Sequence, residues 1–164
     1  METSDINNSI PPELFLFSGE WEPYQEALFE IFKSTIVQGN LTFLGLPVKT
    51  RWFPSLKGKD FTFWHLISEG EKEEDRVPDL RRCERLSWVG WVLNKYATHP
   101  SISFCENNRK SSKNYVIWYK EGNYVVILSK RGKYFLLKTA YHVTSSHRIK
   151  SLQADMDAYK KNGS

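Results

Sequence analysis

Two arginines occupy a helix face that should be apolar. Pro78 to Tyr96 has helical periodicity, and at ~100° per residue Leu86, Val89, Val92, Leu93 and Tyr96 gather on one side. Arg82 and Arg85 fall on that same side, one turn apart, near its N-terminal end. A guanidinium carried toward a core is costly unless it is paired or binds an anion. The pair therefore requires a buried carboxylate or a cleft that receives something negative. Partners within the chain are Asp79, Glu84 or an acid elsewhere, although Glu84 projects to a different helix face. Snorkelling from the end of the stripe is the remaining alternative.

His65 is the second candidate. Phe61 to Ile67 is short and aromatic and reads as a strand, with helix a close alternative. In a strand, His65 shares a face with Phe61, Phe63 and Ile67. It is then either a core imidazole satisfied by one hydrogen bond or a general acid/base. His99, in a polar loop, and His147, opposite the apolar stripe of the last helix, read as solvated; His142 faces away from Thr139 and Tyr141. The last strand alternates Phe135, Leu137, Thr139 and Tyr141 on one side, so an apolar face ends in a hydroxyl and a phenol. Either the strand is leaving the core, or Thr139 and Tyr141 donate to a phosphate or stack on a base.

Lys130, Arg131 and Lys133 crowd one hairpin turn, with Arg109, Lys110 and Lys113 in a nearby loop and Arg148 near the start of the last helix. Interleaved with Trp118, Tyr119, Tyr124 and Tyr134, they form a candidate basic rim for a nucleic-acid backbone. Glycine-rich phosphate loops, paired cysteine ligands and the zinc-protease helix motif are all missing, and no cofactor is expected. The acidic run Glu71–Asp75 reads as a solvated loop rather than a metal site.

The elements that position these residues follow from periodicity. Residues 1–12 are expected to be disordered, 13–161 to form a single domain, and 162–164 to be a short tail. A helix is expected over Glu22–Val37, ended by Gly39-Asn40, and a hairpin over Leu41–Trp52. Gly90, alone within the second helix, lets another element pack close. Thr98–Lys113 reads as a polar connection. Three strands, Tyr115–Tyr119, Tyr124–Ser129 and Lys133–Tyr141, make an antiparallel meander. Ser145 then caps a closing helix with Ile149, Leu152, Met156 and Tyr159 on one face. The fold class is α+β: N-terminal helices, a sheet in the C-terminal half and a C-terminal helix.

With 164 residues, 40% of them hydrophobic and 15% aromatic, the chain can build a core. Its formal charge of +4 and pI near 9.0 favour an anionic partner. Two cysteines are too few for a disulfide framework; Cys83 reads as a core thiol. No signal peptide or membrane span is visible, so a cytoplasmic location is expected.

In order, these features are an aromatic segment with His65, a helix with Arg-Arg-Cys-Glu-Arg-Leu before Trp88, and a meander closing in Tyr134-Phe135-Leu136-Leu137-Lys138-Thr139-Ala140-Tyr141. The arrangement resembles the phage- and toxin-associated nucleases grouped as barnase-EndoU-colicin-RelE-like, over roughly residues 40 to 160. The resemblance implies a metal-independent endoribonuclease acting on tRNA or mRNA, leaving a 2′,3′-cyclic phosphate. His65 would take the acid/base place, Arg82 and Arg85 the phosphate clamp, and Thr139 and Tyr141 the last-strand place. A barnase-type glutamate base is not identifiable. A toxin's producer needs protection, so an acidic antitoxin or immunity protein is the expected partner beside RNA. The alternatives are a non-catalytic nucleic-acid-binding module and a phage accessory or inhibitor protein that acts by protein contact.

Overall fold

A run of apolar residues without polar alternates marks a strand buried on both faces. Tyr115 to Tyr119 is such a run, and all five residues are buried in a six-stranded sheet. A computed structural model of the chain describes residues 9–109 and 112–162. The helices are α1 (Trp21–Phe32), α2 (Phe61–Ile67), α3 (Leu80–Glu84), α4 (Trp88–Lys95) and α5 (Ser146–Asn162). The short strands are β1 (Thr42–Phe43), β2 (Leu46–Lys49), β3 (Ser68–Glu69) and β4 (Val77–Pro78); the long ones are β5 (Ile102–Arg109), β6 (Ser112–Tyr119), β7 (Tyr124–Arg131) and β8 (Tyr134–His142). A π-helical turn (Lys33–Val37) extends α1, and a 3-10 turn (Glu73–Asp75) lies between β3 and β4. The class is α+β, with helices before the sheet and one helix after it.

The two sheet faces carry separate cores. Tyr115, Ile117, Val126, Leu128, Phe135 and Leu137 meet Leu28, Phe32, Phe63 and Val89 of the earlier helices. Val116, Trp118, Val125 and Cys105 meet Leu152 and Met156 of α5, with Ile149 and Tyr159 at the margin. The spatial order is β1-β2-β8-β7-β6-β5. β5 to β8 form an antiparallel meander. β2 runs parallel to β8, pairing Val48 with Phe135 and Lys49 with Leu136, which makes the sheet mixed. Past Leu136, α2 and α3 pack against β8.

Two glycines permit the close packing at the π turn. A Cβ on Gly39 would sit 2.2 Å from the Thr35 carbonyl oxygen, and one on Gly90 would sit 3.2 Å from the same oxygen. Gly90 thus lets α4 approach that turn, as its position within a helix suggested.

Four local expectations are corrected. The connection at 98–113 contains β5, paired with β6 over Ile102–Arg109. β5 is an edge strand whose sequence turns polar after Cys105, which weakens its period-2 signal. Phe61–Ile67 is helical: Phe63, Leu66 and Ile67 are buried at helical spacing, and tertiary packing overrides their strand-like composition. His65 therefore does not share a strand face with Phe63 and Ile67.

The helix expected from Pro78 to Tyr96 is divided. Val77–Pro78 pairs with Ser68–Glu69, and Asp79 caps α3 by accepting from the Arg81 and Arg82 amides. A tight turn then separates α3 from α4, with the Arg85 and Leu86 amides bonding three residues back, at 3.2 Å each. Arg82 and Arg85 thus belong to no common helix face. Finally, Leu137 stands opposite Leu128 and Thr139 opposite Ile127, so Lys138 is a bulge. The bulge resets the alternation: Ala140 joins Phe135 and Leu137 in the core, and Thr139 and Tyr141 leave that face.

Candidate functional site

Arg82 is held by the end of a helix. The last turn of α2 leaves carbonyls without intrahelical donors, and these carry partial negative charge. Arg82 Nη1 donates to the carbonyls of Ser68 at 2.7 Å and His65 at 3.2 Å, and to Thr139 Oγ1 at 3.2 Å. Thr139 in turn donates to the His65 carbonyl at 3.4 Å. Arg76 joins from the loop before β4, with Nη2 donating to the Ser68 carbonyl at 2.6 Å and the His65 carbonyl at 3.3 Å. Its Nη1 donates to the Gly70 carbonyl at 2.8 Å. Two guanidiniums thus cap one short helix, and Arg82 Nε also lies 3.4 Å from Asp79 Oδ2, while Arg85 Nη1 lies 3.8 Å from Glu84 Oε2; together these contacts resolve the oddity of charges on an apolar stripe. Arg82 Nη2 has no acceptor among the described residues.

His65 projects from that helix into a cleft of about 450 Å³. The cleft is lined by Arg51, Phe61, His65, Glu73, Arg76 and Arg82 on one side and by Leu136 to Thr139 of β8 on the other. His65 Nε2 lies 2.7 Å from Glu73 Oε1. A carboxylate only accepts, so the neutral imidazole bears its proton on Nε2 and leaves the Nδ1 lone pair free. Phe61, one turn earlier, packs on the imidazole with centroids 4.2 Å apart, and the Arg51 guanidinium lies 4.6 Å from the Phe61 centroid. Burial and the Arg76 charge lower the His65 pKa, with Glu73 opposing them. At neutral pH the ring is thus a neutral acceptor rather than an imidazolium.

The structure brings His65, Arg82 and Thr139 into one cleft. Tyr141 lies behind Arg82, whose guanidinium is 5.6 Å from its ring, and its hydroxyl accepts from Arg148 Nη2 at 3.4 Å. Arg85 lies outside the cleft: its guanidinium is 5.3 Å from the Trp88 ring, and Nη1 donates to the Arg81 carbonyl at 3.1 Å. Lys130, Arg131 and Lys133 surround the β7–β8 turn and do not line the cleft. Lys113 pairs with Glu106 at 2.9 Å. Lys110 and residues 1–8 and 163–164 lie outside the described residues, while the Pro12 carbonyl accepts from the Trp88 indole at 2.8 Å.

Sequence reasoning missed Arg51, Glu73, Arg76 and Lys138. Strand and helix alike put Phe61 beside His65, and the helix only turns Phe63 and Ile67 away, so neither reading of Phe61–Ile67 points to these four residues. Cys83 and Cys105 are free and buried, and burial pushes the thiols up, to about 12 and about 11. No three His, Cys, Asp or Glu side chains among the described residues gather as metal ligands. No described helix is long and apolar enough to cross a membrane.

The fold and cleft define an α+β protein with a cationic cleft between a capped helix and a bulged strand. No protein-family model, curated protein or solved structure matches the chain.

Proposed function

We propose that the protein is a metal-independent endoribonuclease of the toxin type. One observation carries this reading: the His65–Glu73 pair opens into a cleft that also presents Arg51, Lys138 and the unused Nη2 of Arg82. RNA brings its own nucleophile. His65 Nδ1 takes the proton of the 2′-hydroxyl as O2′ attacks phosphorus. The bond from phosphorus to O5′ breaks, and the departing oxygen receives a proton from the Lys138 ammonium. Arg51 and Arg82 stabilise the added charge on the five-coordinate phosphorus. The products are a 2′,3′-cyclic phosphate and a 5′-hydroxyl. DNA lacks the nucleophile and resists.

The expected substrates are tRNA or mRNA in the cytoplasm, and the expected partner is an acidic immunity protein or antitoxin covering the cleft. A non-catalytic nucleic-acid-binding module is the second reading. It is favoured by the main-chain engagement of Arg76 and Arg82, which leaves fewer donors for a transition state. Cleavage of total tRNA and a generic RNA by purified protein in EDTA separates the two. Cyclic phosphate ends support the enzyme. Salt-dependent binding without cleavage supports the module.

A further inference from the structure

A second groove adjoins the cleft, and the proposed reaction does not use it. It has a volume of about 610 Å³, and its apolar lining includes Trp21, Pro54, Leu56, Trp64 and Ile67. Phe61, Glu73 and Arg76 line both hollows, so the two are contiguous. The loop along its edge leaves Trp52 51% exposed, Phe53 74% and Leu56 57%. Its main chain is tied to α2: the Phe61 amide donates to the Trp52 carbonyl at 3.0 Å, and the Trp64 indole donates to the Leu56 carbonyl at 3.1 Å. Aromatic surface held in solvent by an anchored loop marks a binding surface.

The groove also contains one buried, half-used polar group. Gln25 is only 3% exposed, and its Oε1 accepts from the Trp21 indole at 2.8 Å. An indole N–H only donates, which fixes the amide orientation. Nε2 is left with no acceptor among the described residues. An apolar groove with one free donor, contiguous with a cationic cleft, offers a nucleobase apolar surface for its faces and a donor for its edge.

We infer that this groove holds one unpaired nucleobase of the strand whose phosphate occupies the cleft, so the substrate class is single-stranded or loop RNA. This rests on the ribonuclease reading of the cleft. A base inside a duplex keeps its faces stacked and its edge paired, and cannot enter. Gln25 Nε2 donates to an acceptor on the base edge, and the Trp52–Phe53 shelf stacks on a neighbouring base.

The probe is a 2′-O-methyl RNA, which binds but lacks the nucleophile, offered as a single strand and as a blunt duplex at fixed salt. Anisotropy should show single-strand affinity about tenfold or more above that for duplex. The exposed double variant Trp52→Ala/Phe53→Ala, checked for fold by circular dichroism, should lose about tenfold on the single strand and nothing on the duplex. Equal affinity for both probes overturns the inference. So does undiminished binding by the double variant, the result expected if the shelf instead serves another protein or a second copy. Cleavage in EDTA without single-strand preference leaves the ribonuclease reading standing and removes the base site. Single-strand preference without cleavage does the reverse. Binding to neither probe removes both.

Discussion

β8 has cations at both ends, and the two sets are held in opposite ways. At the hairpin tip, Arg131 and Lys133 are exposed, and neither their side chains nor that of Lys130 bonds any described residue. At the bulged end, Arg82 is bound to two carbonyls and a hydroxyl and lies beside the Asp79 carboxylate, Arg76 is bound to three carbonyls and the Ser68 hydroxyl, and His65 to Glu73. Free charge on a convex tip attracts a polyanion without orienting it, and salt weakens that attraction. Donors fixed in a cleft hold one phosphate in one place. Similar residue types therefore divide into a grip and a site, and local structure decides which is which.

Breaking the bulged end should have the largest effect. His65→Ala should lower cleavage by about 10²- to 10⁴-fold, the range for loss of a general base. Binding of uncleavable RNA should stay nearly intact. Full cleavage by this variant would remove His65 from the chemistry. Arg82→Met acts on the scaffold first, because the Ser68 and His65 carbonyls and Thr139 lose a charged donor. Urea unfolding should show a loss of about 3 kcal/mol. Wild-type stability would mean that Arg76 alone suffices to cap α2.

The tip should show the converse. Replacing Lys130, Arg131 and Lys133 together by Ala should leave stability within about 0.5 kcal/mol, as for exposed or half-exposed side chains without partners. RNA affinity should fall, and its dependence on salt should flatten by up to about one unit of log–log slope for each phosphate that is no longer neutralised. Cleavage of a dinucleotide, too short to reach the tip, should not change. A drop on the dinucleotide would erase the distinction between the two ends.

This division was only partly legible in the sequence. The stripes of α1 and α5, the Ser145 cap and the meander follow from periodicity, because each is a local pattern facing one core. Arg82 was also legible as an anomaly, since a charge on an apolar stripe demands a partner. Asp79, one of the partners the sequence offers, lies 3.4 Å from Arg82 Nε; the other partner is the carbonyl end of a neighbouring helix, a tertiary contact with no one-dimensional signature. Arg76 sits in a charged loop and looks like any solvated cation there. Lys138 interrupts no pattern in Phe-Leu-Leu-Lys-Thr-Ala-Tyr, so the bulge that brings Thr139 to Arg82 was invisible.

The finest distinction concerns Glu73, which orients His65 from an exposed position and should have the smallest effect. Burial and the Arg76 charge hold the His65 pKa below its ordinary 6.5, while the Glu73 hydrogen bond and charge pull it back up. Glu73→Gln removes the upward pull, so the imidazole pKa should fall further. The acid limb of the cleavage profile, already below pH 6.5 in the wild type, should move to lower pH while the neutral plateau drops only modestly. Stability carries the same sign. Below pH 6.5 the unfolded chain protonates this histidine before the folded chain does, so folding weakens as pH falls from 6.5 through the lowered folded-state value. His142, lowered by burial and by Arg85 and Arg81, adds to that loss. Glu73→Gln should extend the pH window of weakening downward for His65 alone, and NMR titration of the two imidazoles separates them. A His65 pKa that rises in Glu73→Gln would show that the carboxylate positions the ring without setting its charge.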